Sequence, residues 1–180
     1  MAVRQPPRLP AGAAAAAGPS AIAAPGMGMP GAEAATGGDP MAPMAEIQRL
    51  REHVEKNPDD AEAILLLANL NFDIRNWERA RELYSRHLEL RPGNADILTD
   101  LGVTYRELGQ HQRALELFDQ AQKLQPSHWQ SLYNQIVVHA FDLRDFPAAE
   151  RLLIELRRLQ PANPSVGELA TEVARRRAAG

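Results

Sequence analysis

Cysteine is absent from the 180 residues, so disulfides and thiolate metal sites are excluded, and neither an oxidising nor a reducing compartment is implied. Aromatic residues are scarce, at 5 %. Val and Ile are few beside Ala and Leu, a balance that favours helices over sheets. No run of about 18 apolar residues occurs, so no segment of this sequence reads as a membrane span. Excess charge of one sign is also missing. The net charge is −3 with both signs interspersed, which offers no basic surface for a nucleic-acid backbone.

Catalytic and cofactor signatures are missing as well. The five histidines, His53, His87, His111, His128 and His139, form no His-x-x-x-His pair and no zinc motif, so they read as scattered surface or boundary residues. Gly26-Met27-Gly28 follows no strand pattern and is not a phosphate loop. No Gly-x-Ser-x-Gly turn is present. The sequence therefore reads as that of a non-enzyme without metal or cofactor.

What is present divides near residue 44. Residues 1–44 hold 14 Ala, 7 Gly and 8 Pro, too little bulky apolar surface to offset ordering entropy, so a disordered, semi-extended linker is expected, with a tether as its functional reading. Within it, Ala11 to Ala24 follows Arg4 and Arg8, but Gly12, Gly18, Pro19 and Pro25 interrupt it, a poor match to a secretory signal. Cytoplasm and periplasm both stay open. Arg4 and Arg8 balance Glu33 and Asp39, which leaves the whole net charge to residues 45–180.

From Ala45 onward Leu and charged residues recur at helical spacing, and the pattern repeats. Pro58, Pro92, Pro126 and Pro161 stand 34, 34 and 35 residues apart in similar short loops. Side chains 34 apart also agree: Ile64 with Leu98, Leu67 with Leu101, Arg79 with Arg113, Ala80 with Ala114, Glu82 with Glu116, Leu83 with Leu117, Tyr84 with Phe118, Leu90 with Leu124. This resembles the tetratricopeptide-repeat (TPR) family, a helix–turn–helix repeat. The best-matching unit carries Leu98, Leu101, Gly102 and Tyr105, then Gly109 at the turn, then Ala114, Phe118, Ala121 and Pro126. The first unit departs at Asn71, where the family has Tyr, and at His87, where it has Ala. Phe72 stands ready to supply the ring one place later. The third unit, with Tyr133, Ile136, Val137, Ala140, Ala149, Leu153, Leu156 and Pro161, reads as slipped by one, with Trp129 as an extra residue in the preceding turn.

The resemblance implies an all-α solenoid of about three helical hairpins: a cap helix at 45–57, repeats at 61–94, 95–128 and 129–163, and a second cap at 165–177. Gly102 and Ala114, like Ala68 and Ala80, should meet where paired helices cross. Val137 replaces the small residue there in the third pair, which should pack less closely. Ile47, Leu50 and Val54 at one end and Val166, Leu169 and Val173 at the other give each cap one apolar face. Asp60 and Asn94 are expected N-caps. Ser127-His128-Trp129-Gln130 and Ser165-Val166-Gly167-Glu168 read as capping boxes.

In such a solenoid the first helices of successive units line a concave groove, so the resemblance places a peptide-binding surface on Glu62, Leu65, Asn69, Asp73, Asp96, Thr99, Asp100, Val103, Arg106, Asn134, Gln135 and Val138. Leu66, Phe72, Glu107, Ser131, Phe141 and Asp142 extend the same face. Its acidic character suits a partner segment, helical or extended, with basic and apolar side chains. Some family members clamp a carboxylate with Lys, Asn and Arg. The corresponding positions here are Leu65, Asn69, Asp100, Ser131 and Gln135, and only Asn69 matches. A scaffold or adaptor is the leading expectation. Self-assembly through Leu169 and Val173 is a second. The layout also looks like the TPR domains of bacterial cytochrome c biogenesis factors, which present apocytochrome for haem ligation. Arg175, Arg176 and Arg177 form a basic end that the helix dipole alone accounts for, with a phosphate or membrane contact as the alternative reading.

Overall fold

A computed structural model describes residues 42–179. Of the linker expected over residues 1–44, residues 1–41 lie outside the described residues, and with them the Ala11 to Ala24 stretch and Gly26-Met27-Gly28. Within them the chain is all-α, with eight α-helices and no strand: α1 Ala42–Lys56, α2 Ala61–Asp73, α3 Trp77–Leu90, α4 Ala95–Glu107, α5 His111–Leu124, α6 Trp129–Val137, α7 Phe146–Leu159 and α8 Pro164–Ala179. None of these helices is long and apolar enough to cross a membrane.

The first helix starts at Ala42 rather than Ala45. Pro43 lies in its opening turn, where a missing N–H forfeits no intrahelical bond. Asp60 and Asn94 cap as expected. The Asp60 carboxylate accepts from Ala63 N–H, and the Asn94 side chain accepts from Asp96 and Ile97 N–H. Neither expected capping box forms. At α6 the cap is His128, whose Nδ1 accepts from Ser131 N–H at 3.3 Å. At α8 the Asn163 side chain accepts from Ser165 N–H, with Pro164 as the first helical residue. Caps at 60, 94 and 128 thus keep a strict 34-residue spacing.

That spacing corrects the position of the extra residue in the third unit. It does not precede α6, and Trp129 begins its helix as Ala61 and Ala95 begin theirs. Helix ends locate it. Gln110 N–H bonds Tyr105 carbonyl, five residues back, whereas Asp145 N–H reaches six back to His139. Leu108 N–H bonds Thr104, whereas Leu143 N–H bonds Val138. The insertion is therefore absorbed by a π-helical turn at Val138–Asp142, the usual way a helix takes in one residue without losing its neighbours.

The turns between paired helices use a left-handed residue at equivalent places: Arg75 at φ 59°, Gly109 at 73° and Arg144 at 56°. Only Gly109 adopts it without a Cβ penalty. In the first turn Asn71, almost fully buried, explains the departure from Tyr. Its amide donates to Leu67 carbonyl and accepts from the Asn76 amide, tying the end of α2 to the start of α3. Phe72 supplies a ring there, edge-on to Trp77 at 5.1 Å and to Tyr84 at 6.2 Å.

Each hairpin is closed by the next. One buried cluster joins Ile47 and Val54 of α1 to Ile64, Leu67, Ala68, Ala80, Tyr84, Ile97, Leu101 and Leu117. A second unites Val103, Ala114, Leu115 and Phe118 with Val138 across the last two units. A third seats Val166, Leu169 and Val173 of α8 against Tyr133, Ile136, Val137, Ala149, Leu153 and Leu156. Ala68, Ala80 and Ala114 are sealed from solvent. The space in front of Gly102, however, is filled by Phe118: an added Cβ would lie 2.4 Å from its Cε1, and the three nearest atoms all belong to that ring. Val137 is fully buried, and the α-helical part of α6 spans nine residues against thirteen in α2 and α4.

Candidate functional site

The first helices of the units, α2, α4 and α6, carry the expected groove residues. Polar bonds tie α4 to α6 at both ends. At the N-terminal end His128 Nε2 lies 3.0 Å from the Asp96 carboxylate. Because Nδ1 of the same ring accepts from Ser131 N–H, Nε2 carries the proton and donates to Asp96. At the far end the Arg106 guanidinium forks onto Asp142, with Nε and Nη2 on the two carboxylate oxygens at 2.5 and 3.1 Å. His111 Nδ1 stands 3.9 Å from the same carboxylate. Arg106 and Asp142 are mostly shielded from water, so this two-pronged contact fixes the relative setting of the second and third units more firmly than an exposed pair would.

The first unit is anchored differently. Tyr84 reaches through from α3, and its hydroxyl donates to the Asn69 side-chain oxygen at 2.8 Å. Burial raises the Tyr84 phenol's pKa, and the nearby charges of Asp100 and Asp73 raise it further, so the phenol stays a donor. Asp73 is itself raised by partial burial. Glu62 at the other end of α2 pairs with Arg91.

Of the twelve expected groove residues, Glu62, Leu65, Asn69, Asp73 and Asp96 retain exposure and Arg106 is largely covered, while Thr99, Asp100, Val103, Asn134, Gln135 and Val138 are buried. Part of this division is a matter of register. With the extra residue placed after His139, Gln135 and Val138 take the positions of Leu101 and Thr104, and Ser131 that of Ile97, which are core positions in the second unit. Val138 accordingly packs with Val103 and Phe118. Gln130, Tyr133 and Val137 are the residues 34 on from Asp96, Thr99 and Val103. The accessible, contiguous portion lies on α2, where Leu66 is 55 % exposed between Glu62 and Asp73.

Two histidines also lie elsewhere than expected. His87 and His128 are buried rather than superficial. The His87 Nδ1 is 2.8 Å from Ala61 carbonyl and His128 serves as the α6 cap. Among the described residues no three His, Asp or Glu side chains converge as a metal site. The interhelical pairs Asp96–His128 and Arg106–Asp142 join residues 32 and 36 apart. A search for complementary residues near one repeat length apart could have found them.

Two tetratricopeptide-repeat family models match the chain, one over residues 59–127 and the other over 99–164. Among solved structures, the crystal structure of MamA protein superposes with a TM-score of 0.64 at 18 % identity over 73 % of each chain. The second TPR domain of human RPAP3, solved with the HSP70 peptide SGPTIEEVD, gives 0.55 at 17 % identity, covering 73 % of this chain and 98 % of that one. An O-GlcNAc transferase mutant of Thermobaculum terrenum gives 0.56 at 26 % identity, over 64 % of this chain and 22 % of that one. No curated protein matches by sequence.

Proposed function

Because the chain belongs to the tetratricopeptide-repeat family, we propose that it is a protein-binding module that holds a partner segment, basic and apolar in character, against the first helices of its repeats. The observation that carries this reading is the α2 face. Glu62 and Asp73 flank an exposed Leu66 and a half-buried Leu65, and Asn69 is set in place by Tyr84. A cationic side chain on either side of an apolar one would satisfy that face, and the rigid repeat stack lowers the ordering cost of binding.

The neighbouring RPAP3 domain was solved with an acidic peptide, SGPTIEEVD. The present surface carries the same sign as that peptide. Glu62 and Asp73 lie on the exposed face of α2 and Asp96 opens α4, and of the carboxylate-clamp positions only Asn69 has the needed residue. An acidic chain terminus would be repelled there. The module is accordingly assigned a different class of ligand from that neighbour.

The test is site-specific photocrosslinking in cells, with the crosslinker at Leu66 or at Ile154, a still more exposed residue on α7. A protein captured from Leu66 and not from Ile154, and lost on Asp73→Lys, supports the groove. Equal capture from both sites, or capture indifferent to Asp73→Lys, removes it.

A further inference from the structure

A second site lies at the other end of the solenoid, outside the α2 face. The π-helical turn, the Arg144 loop and the last turns of α8 enclose a cavity of about 270 Å³. It is lined by two aromatic residues, Phe141 and Phe146, and three arginines, Arg144, Arg175 and Arg176, with Ala140 and Ala179 beside them. The π-turn contributes Ala140 and Phe141 to the lining. The residue inserted after His139 lengthens the end of α6, in the stretch that brings Phe141 to the cavity wall.

The charge balance is positive. Glu172 alone answers Arg175 and Arg176, accepting from both at 2.7–3.0 Å. Arg177 is occupied with Glu150, and Asp145 faces His139. The Arg144 side chain makes no hydrogen bond or ion pair among the described residues. Arg176 also lies over the Phe141 ring, 4.8 Å from its centroid. Glu172 takes the Nε of Arg176, and the stacking leaves its two Nη groups to donate in the ring plane while the rings present an apolar floor. The α8 carbonyl end works against an anion, and three arginines outweigh it.

We propose that this cavity is a docking site for an acidic peptide segment of a partner protein, with one aromatic or large aliphatic side chain between Phe141 and Phe146 and flanking Asp or Glu carboxylates on Arg144, Arg175 and Arg176. A bare anion would leave both rings wet, and an uncharged apolar group would leave Arg144 unanswered. Only a ligand with both features matches the wall. The site is complementary in sign to the acidic α2 face, so the two ends of one solenoid take partner segments of opposite charge.

The probe is a fluorescein-labelled peptide, Glu-Glu-Phe-Glu-Glu, titrated with the full chain and read by fluorescence anisotropy. Binding is expected with a Kd on the order of 100 μM, weakening with salt. Arg144→Glu should weaken it about tenfold and Arg144→Lys much less, since both lie in an exposed turn and leave the core intact. Asp73→Lys on α2 should leave it unchanged, which separates this site from the groove. Glu-Glu-Ala-Glu-Glu should bind several-fold more weakly. Circular dichroism melting verifies that each variant is folded. Absence of binding up to about 1 mM, well beyond the expected Kd, overturns the proposal. So does affinity unaffected by Arg144→Glu, equal affinity of the Ala peptide, or Arg144-dependent binding to anionic phosphatidylserine vesicles with none to the peptide.

Discussion

Gly102→Ala puts the packing argument to its hardest test, because two effects of opposite sign meet at one atom. In an isolated helix the change would stabilise by about 1 kcal/mol, the propensity difference between Gly and Ala. Here the new Cβ would sit 2.4 Å from Phe118 Cε1, 2.8 Å from Cδ1 and 3.0 Å from Cζ. The ring cannot swing away, since Phe118 is fully buried among Val103, Ala114, Leu115 and Val138. An intrusion of about 1 Å into a closed contact belongs at the upper end of the overpacking range, ~3 kcal/mol. The net is a loss of ~2 kcal/mol, or a fall in melting temperature of roughly 6–8 °C for a domain of this size. Urea titration followed by circular dichroism, on wild type, Gly102→Ala, Phe118→Leu and the double variant, isolates the contact. With the Cε1 and Cζ atoms gone, Gly102→Ala should cost nothing or stabilise by up to ~1 kcal/mol, giving a coupling of ~2–3 kcal/mol. An equal cost on both backgrounds would refute the claim that the Phe118 ring is why position 102 is glycine.

Two further outcomes follow from the turns and the last helix. Arg75, held at φ 59° in the turn where the next unit has Gly109, should gain about 0.5–1 kcal/mol on Arg75→Gly, the left-handed penalty less the extra entropy of glycine; thermal melting reads it, and a lower melting temperature would contradict it. Arg175 and Arg176 hold the Glu172 carboxyl down from its ordinary 4.5 to about 2. A depressed folded-state value means stabilisation that is full above pH 4.5 and lost as the pH falls towards 2. The melting-temperature gap between wild type and Glu172→Gln should therefore shrink across that window and shrink with added salt, and a gap independent of pH would contradict the assignment.

Much of this protein could be read locally. Proline spacing, the small residues Ala68, Ala80, Gly102 and Ala114, and the caps Asp60 and Asn94 each act within a turn or a hairpin, so their period alone implies paired helices that stack. The unit-one exceptions were half-legible: Phe72 was expected to stand in for a missing ring, but the bonds by which Asn71 secures the turn were not. Burial of His87 and His128 depends on neighbouring helices that no local pattern specifies.

The amino-acid sequence by itself determined the repeat, the helix count and which stripe of each helix is apolar, because these depend on short-range periodicity. Tertiary structure alone decided where the thirty-fifth residue of the last unit goes. A loop insertion and a π-turn share the same sequence spacing and differ only in which carbonyl each N–H reaches. That choice shifts Gln135 and Val138 into core positions, keeps the accessible acidic face on α2, and places Phe141 of the π-turn in the lining of the arginine-rich cavity.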